Sequence, residues 1–296
     1  MEAVSRKKRI VYIVNPVSGR GKTSGIGKVI EKETDPAACS WEVLQSEHPG
    51  HAEHLARKAA ETGADVVVAV GGDGTVNEVS RGIIGSESAL GIVPAGSGNG
   101  LANHLGIPLR YAAAVRLINA GKTQLIDTAR LNGKLFVSLA GAGFDAVVAK
   151  RFAMTGQRGF VTYARVAITS YLNYEPRKFT ITADGTKYKR KGIFVSFANS
   201  NQFGNNISVD PLAELNDGWI DICIVRKIPL VSLFFLTPAV FMKKIHKTRF
   251  VEIIRAKDIY LKRKRGKWVH LDGDPWKAGK EVHVAIQPLS LRVVVP

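Results

Sequence analysis

The chain has 296 residues, of which 45% are hydrophobic and 23% charged, a composition typical of a globular protein. This length exceeds what one hydrophobic core usually organises, so we expect two domains. Forty-two Lys and Arg residues against 25 Asp and Glu give a net charge of +17, which favours anionic partners such as nucleotides, acidic lipid surfaces or nucleic acid.

The first third of the chain alternates between short apolar runs and amphipathic segments. Four runs are predicted strands: RIVYIVNP, SWEVLQSE, ADVVVAV and ALGIVP. Three segments between them have helical patterns: GIGKVIEKETD, HAEHLARKAAETG and TVNEVSRGII. The continuous run ADVVVAV is typical of a strand that is buried on both faces. This alternation predicts an α/β domain with a parallel sheet covered by helices.

The pattern changes near residue 125 to successive strands and turns. The predicted strand segments are KFTITADGTKYKRKGIFVSFAN, WIDICIVRK, VEIIRAKDIYLKR, WVHLDGD, VHVAIQ and LRVVV, and only 145–175 and 229–247 look helical. The turns LNGK and ADGT favour hairpins. The second half is therefore expected to be a mainly antiparallel β-sandwich or barrel. We assign residues 1–125 and 126–296 to the two domains, and leave open whether the last strand returns to the first domain.

Polar, mostly glycine-rich loops follow all four predicted strands of the first domain. They are NPVSGRGK, SEHPGHA, GGDGT and PAGSGNG. Parallel sheets bind ligands beyond the carboxyl ends of their strands, and glycines allow backbone N–H groups to converge on an anion at a helix start. These loops predict a phosphate site. Asp73 would repel phosphate, so we expect it to hold Mg²⁺ through water or to orient an attacking hydroxyl.

Two common phosphate motifs do not fit these loops. NPVSGRGKT ends like a P-loop, but Pro16 stands where that motif requires glycine. A dinucleotide fingerprint occurs at GAGFDA, residues 141–146, but no acidic residue lies near position 165 to hold a ribose. We therefore interpret the loops as a nucleotide site of another kind.

Four motifs in chain order, VNPVSGRGK, GGDGTVNEV, GIVPAGSGNGLANHLGIP and LNDGWIDICIV, resemble the diacylglycerol kinase catalytic family of lipid kinases, which includes the sphingosine kinases. The likeness extends over residues 8–296. GGDGT alone also occurs in NAD kinases and phosphofructokinases, whereas the ordered set is specific. The resemblance implies a nucleotide-binding α/β domain, a β-rich lipid-binding domain, and ATP in the cleft between them.

The resemblance also implies roles for individual residues. The nucleotide would contact Asn15, Ser18, Ser46, Gly71, Gly72, Asp73, Gly74, Thr75, Val76, Asn77, Ser97, Asn99 and Arg158. Asp272 and Asp274 match the family's catalytic Asp-Gly-Glu segment. A structural Mg²⁺ loop would use the Asp217 carboxylate with the Glu214 and Trp219 carbonyls, and Asp127 would join a further magnesium–water network.

The chain departs from the family pattern at two of these positions. Many bacterial members have an aspartate where this chain has Gly100, so one carboxylate of the magnesium network is missing. Asp274 replaces the family's glutamate, which retracts that carboxylate by one methylene. The sequence therefore leaves open whether Asp272, Asp274 or Asp73 is the base.

The sequence thus predicts an ATP- and Mg²⁺-dependent kinase that phosphorylates a lipid with a free hydroxyl, such as diacylglycerol or a sphingoid base. Two alternatives stay open: a kinase of a soluble substrate, as in NAD kinase, and a non-catalytic lipid- or nucleotide-binding protein. Nucleic-acid binding is not expected, because no recognition motif accompanies the charge. The identity of the lipid and the formation of a homodimer are left open.

We expect a cytoplasmic protein that associates peripherally with anionic membranes. Cys39 and Cys223 fit neither a disulfide framework nor a metal site, which indicates a reducing compartment. The apolar segment 228–241 has 14 residues and two prolines, whereas a spanning helix needs about 20 apolar residues. It is either a buried helix or a membrane-facing element beside Lys243, Lys244 and Lys247. The basic segment 261–268 is a second candidate contact.

Overall fold

The computed structural model describes residues 6–156, 160–202, 210–229, 232, 242 and 244–296. The chain divides into an N-terminal unit, Met1–Ile126 with Ser290–Pro296, and a C-terminal unit, Asp127–Leu289. Arg158 and most of the apolar segment 228–241 lie outside the described residues, so both predictions stay untested. In the part of the chain that is described, no helix is long and apolar enough to cross a membrane.

Strands and helices alternate along the N-terminal unit, as predicted. The strands are β1 (Lys8–Val14), β2 (Cys39–Gln45), β3 (Val66–Gly71) and β4 (Ala89–Pro94). The helices are α1 (Ile26–Glu33), α2 (His51–Glu61), α3 (Asp73–Ile83), α4 (Gly100–His104) and α5 (Tyr111–Ala120), and a 3-10 helix, Ser18–Gly25, precedes α1.

The four strands form a parallel sheet in the order β2-β1-β3-β4. β3 is buried at every residue, as expected for a strand whose two faces are both covered by helices. The chain end belongs to the same unit, because Val293 pairs in parallel with Leu90 of β4 and Val294 lies in the unit's core. The predicted α/β fold of this half is confirmed.

The C-terminal unit is mainly antiparallel. Its strands are β5 (Thr123–Leu131), β6 (Lys134–Phe136), β7 (Leu139–Gly143), β8 (Arg177–Ala183), β9 (Thr186–Gly192), β10 (Phe194–Ala198), β11 (Ile220–Val225), β12 (Val251–Ala256), β13 (Asp258–Arg263), β14 (Trp268–Leu271), β15 (Asp274–Lys277) and β16 (Glu281–Val294), of which β5 and β16 extend beyond the unit. Its helices are α6 (Phe144–Met154) and α7 (Phe160–Leu172), and a 3-10 helix covers Ile245–Lys247.

Two layers of strands enclose the core of this unit. One layer runs β16-β13-β8-β9 and the other runs β12-β11-β10-β7-β14-β15. Phe136, Phe179 and Phe197 are fully enclosed in the core. The predicted hairpin turns are present, with Asn132 and Asp184 at φ near 45° before glycines, as type I′ turns require. The predicted β-sandwich fold is confirmed.

The strand boundaries differ from the sequence pattern in two places. The run VEIIRAKDIYLKR is two strands, β12 and β13, which separate at Lys257 and enter different layers. Conversely, VHVAIQ and LRVVV belong to the single strand β16, which passes through Pro288 and Leu289. Leu289 has a φ of 47°, so the strand is locally irregular where proline removes a ladder N–H.

Candidate functional site

All four strands of the N-terminal sheet end in polar loops at one edge. Because the strands are parallel, their carboxyl ends meet there. Asn15 follows β1, Ser46 follows β2, Asp73 opens α3 after β3, and Asn99 precedes α4 after β4. The predicted nucleotide-contacting residues of this unit are thus brought to the same edge.

The glycines of the two central loops allow a close approach between the loops. A Cβ atom on Gly96 would lie 2.5 Å from the Cα atom of Gly72, and one on Gly72 would lie 3.1 Å from that of Gly96. A Cβ atom on Gly71 would lie 2.3 Å from Oγ1 of Thr75 in the first turn of α3. Distances below 3 Å are not tolerated between such atoms, so packing alone requires Gly71 and Gly96.

Asp73 connects these two loops. Its Oδ1 atom accepts a hydrogen bond of 2.7 Å from the backbone N–H of Gly100, the first residue of α4. A carboxylate in the middle of a glycine-rich loop therefore has a structural partner within its own unit. This bond orients the start of α4 relative to the start of α3.

Asn15 and Asn99 hold the loop backbone through their amide groups. Nδ2 of Asn15 donates to Oγ1 of Thr75 at 3.1 Å, and Oδ1 accepts from the N–H of Val17 at 3.2 Å. Oδ1 and Nδ2 of Asn99 bind the N–H and the carbonyl of Gly96, each at 2.9 Å. Both side chains thus preorganise the loops.

The other predicted nucleotide residues differ in exposure. Ser18, Ser46, Thr75, Val76 and Asn77 are buried, whereas Ser97 is exposed. Among the four hydroxyl residues, Ser97 is therefore the most accessible to an incoming ligand.

Asp272 lies in the C-terminal unit, in the turn between β14 and β15. Its φ is 46° and Gly273 follows at 92°, a conformation that suits a tight Asp-Gly hairpin turn. The carboxylate accepts backbone N–H bonds from Val137 at 2.9 Å, Ser138 at 2.8 Å and Leu139 at 2.9 Å. These bonds fix both oxygen atoms. Asp274, the other predicted acid, is exposed at the start of β15.

Asp127 is fully buried, which sequence reasoning did not foresee. Oδ1 accepts from the N–H of Leu289 and Oδ2 from the N–H of Gly218, both at 2.7 Å. The irregular backbone at Leu289 thus aims an N–H at this carboxylate. Asp127 anchors the loop that contains Gly218 from inside the unit, and its role in a magnesium–water network stays a prediction.

Asn199 links the neighbourhoods of Asp127 and Asp272, and sequence reasoning did not single it out. Its Nδ2 atom donates to the carbonyls of Asp127 at 2.8 Å and Val137 at 2.7 Å, and the N–H of Val137 binds Asp272. Asn199 is fully buried, and its Oδ1 atom has no hydrogen-bond partner among the described residues. The only signal was a polar run, ANSNQ, after an apolar strand.

In the predicted Mg²⁺ loop, the Asp217 carboxylate is bound by protein groups. Oδ1 of Asp217 accepts from the N–H of Trp219 at 3.0 Å, and Oδ2 pairs with Nη2 of Arg255. Nε of Arg255 binds Oδ1 of Asp221 at 3.0 Å, and Glu214 is exposed. Mg²⁺ requires near-octahedral oxygen ligands, yet both Asp217 oxygens already have protein partners.

No group of three acidic, His or Cys side chains among the described residues is arranged to hold a metal. The expected structural ion would have one carboxylate and two backbone carbonyls as protein ligands, so its site stays a prediction. Burial, and after it the negative charge of Asp210, raises the pKa of Asp221 to about 7. Sequence reasoning did not single out Arg255.

Two family models match the chain. The diacylglycerol kinase catalytic domain matches residues 9–131, and the YegS C-terminal NAD kinase beta sandwich-like domain matches residues 138–295. Together they cover the loops of the N-terminal unit and the acidic residues of the C-terminal unit.

Named relatives and a solved structure agree with these models. A diacylglycerol kinase of Bacillus subtilis is 31% identical over 77% of this chain and 76% of its own length. A diacylglycerol kinase of Mycobacterium tuberculosis is 28% identical over 97% of this chain and 95% of its own length. The crystal structure of a diacylglycerol kinase from Bacillus anthracis has the same fold, with a TM-score of 0.76 at 21% identity over 99% of this chain and 98% of that one. This chain therefore belongs to the diacylglycerol kinase catalytic family of lipid kinases.

Proposed function

We propose that the protein transfers the γ-phosphate of ATP to the hydroxyl of a diacylglycerol- or sphingosine-like lipid. The observation that carries this proposal is the pair of glycine-rich loops after β3 and β4, which are held together by Gly72, Gly96 and the Asp73–Gly100 bond. α3 begins in the first of these loops. A helix start behind a glycine-rich turn binds phosphate through its backbone N–H groups.

The nucleotide contacts are proposed for the loop residues of the N-terminal unit. Residues 71–77 would receive the phosphates, with Ser97 and Asn99 on the neighbouring loop and Asn15, Ser18 and Ser46 on the outer ones. The hydrogen bonds of Asn15 and Asn99 support this assignment, because a prearranged loop loses less conformational freedom on binding. Arg158 stays a prediction from the family resemblance.

Asp272 is proposed as the base that takes the proton of the lipid hydroxyl. Three backbone N–H groups bind its carboxylate. These bonds hold the group in one orientation, which general-base catalysis requires. Asp73 and Asp274 stay alternatives to Asp272. Asp73 binds the start of α4 through the N–H of Gly100, and Asp274 is exposed. Mg²⁺ that accompanies ATP neutralises charge on the transferred phosphate.

A peripheral association with anionic membranes is proposed from the surface of α7. Val161, Ile168 and Leu172 are 82%, 64% and 55% exposed, and their spacing places them on one face of the helix. Arg165 lies on the same face and is exposed. An apolar helix face with a cation suits the interface of an acidic bilayer. A cytoplasmic location accords with this proposal.

Radiolabelled ATP and a panel of dispersed lipids test the function. We expect phosphate transfer to one hydroxyl-bearing lipid class, with Asp272→Asn inactive and still able to bind ATP. Transfer to NAD or another soluble alcohol, with none to lipids, would favour the soluble-substrate alternative. Tight ATP binding without transfer to any acceptor would favour a non-catalytic binding protein.

A further inference from the structure

The loop that was expected to hold a structural ion already contains a cation. The guanidinium of Arg255 pairs with Oδ2 of Asp217 and lies 3.0 Å from Oδ1 of Asp221. It also lies over the ring of Trp219, 5.8 Å from the ring centre, within the range of a cation–π contact. Arg255 therefore contacts Asp217 and Trp219 of the loop and Asp221 of the strand that follows it.

The sheet places Arg255 at this position. Arg255 on β12 stands directly opposite Asp221 on β11 in the antiparallel register, so the two side chains share one face of the sheet. Asp221 is buried while Arg255 is half-exposed. The ion pair between Arg255 and Asp221 is thus determined by strand pairing. The pair between Arg255 and Asp217 also depends on the conformation of the loop.

We propose that Arg255 takes the place of the divalent ion at this loop, so that the loop keeps its conformation without metal. Mg²⁺ gives up its water reluctantly and would have to displace a guanidinium that holds two carboxylates in a fork geometry. Electrostatic repulsion between the guanidinium and Mg²⁺ would weaken Mg²⁺ binding further. The proposal concerns the loop alone, and it stands whether or not the protein is a lipid kinase.

Thermal unfolding without nucleotide tests the proposal. The melting temperature is measured in excess EDTA and in excess Mg²⁺ for the wild type and for Asp217→Asn. We expect the two proteins to show the same shift between these conditions, because Mg²⁺ does not bind at Asp217. A shift that is larger in the wild type than in Asp217→Asn would overturn the proposal.

The variant Arg255→Met tests whether the guanidinium stabilises the loop. We expect its melting temperature to fall by about 5 °C or more, because two carboxylates lose their partner. Lys257→Met is the matched control, since Lys257 lies 4.7 Å from the centre of the same Trp219 ring and has no ion pair with these acids among the described contacts. Equal melting of the two variants would contradict the proposal. If Arg255→Met does not fold, Arg255→Lys, which keeps the charge but not the guanidinium geometry, is expected to melt below Lys257→Met, and the EDTA comparison decides on its own.

Discussion

The loops of the N-terminal unit and the acids of the C-terminal unit differ in where their partners come from. Asp73 binds Gly100 at a separation of 27 residues, in the next loop of the same sheet edge. Asp272 binds Val137 across 135 residues, and Asp127 binds Leu289 across 162. Repeated strand–loop–helix units bring the first set together, whereas the second set depends on the closure of the sandwich. The role of a motif in the N-terminal unit can therefore be predicted from neighbouring residues. The partners of an acid in the C-terminal unit cannot be predicted in this way.

The largest effect is expected for Asp272→Asn. We expect kcat to fall about 10²–10⁴-fold, the usual contribution of a general base, while ATP affinity is unchanged. Asparagine tolerates the left-handed conformation of this turn, but its Nδ2 group cannot accept the Val137 N–H bond. The melting temperature of the variant is therefore measured alongside kcat. Asp274→Asn is the control, and a greater loss of kcat in that variant would identify Asp274 as the base.

Gly96→Ala tests whether the close approach of the two loops is needed for nucleotide binding. The added Cβ would lie 2.5 Å from the Cα of Gly72, so the loops must separate. We expect ATP affinity, measured by calorimetry, to fall about 10-fold or more, a change of about 1.4 kcal/mol. Gly27→Ala, with open space around its Cβ position, should bind ATP normally. Unchanged affinity in Gly96→Ala would mean that the contact does not serve the site.

Asn199→Leu tests the buried link between Asp127 and Asp272. The change leaves the carbonyls of Asp127 and Val137 without their donor, which costs about 1–3 kcal/mol for buried groups. Chemical denaturation should show this loss, and kcat should fall more than KM rises because Asp272 loses its alignment. Exposed Asn216→Ala is the control. A stability loss with unaltered kcat would assign Asn199 a role in folding alone.

Ile168→Glu tests the apolar face of α7. We expect binding to acidic vesicles to weaken about 10-fold, since an exposed apolar contact of about 1–2 kcal/mol is replaced by a repelled charge. Leu109→Glu changes a similarly exposed residue of the N-terminal unit and should leave sedimentation with vesicles unchanged. If the two variants lose vesicle binding equally, the net charge of the protein determines the binding, and the apolar face of α7 does not contribute.

The smallest effect is expected for the pH dependence at Asp221. Its pKa is raised to about 7 in the folded chain against 3.8 for an ordinary aspartate, mainly by burial. The folded state therefore holds a proton that the unfolded state has lost, and stability falls as pH rises from about 4 to 7. Asp221→Asn should flatten this fall by about 1 kcal/mol, because Arg255 screens part of the cost. An unaltered pH profile of unfolding would show that Asp221 is ionised throughout.

Much of the fold could be predicted from patterns among residues that are neighbours in the sequence. The β-branched run of β3 predicts burial on both faces, and the Asn132 and Asp184 turns predict hairpins, because each depends on neighbouring residues alone. The division of VEIIRAKDIYLKR at Lys257 was missed. Alternation of apolar residues has the same period in both strands and carries no information about which layer each one joins.

The sequence by itself determined the family, the two fold classes and the loops that gather at one sheet edge, since these depend on local motifs in a fixed order. Only the tertiary structure decided the partners of the acids. Asp127 faces the backbone of Gly218 and Leu289, and Asp217 faces Arg255. A carboxylate can accept hydrogen bonds from N–H groups or a guanidinium, and it can also coordinate a metal. Which of these it meets depends on strand register between distant segments, and no local pattern encodes that register.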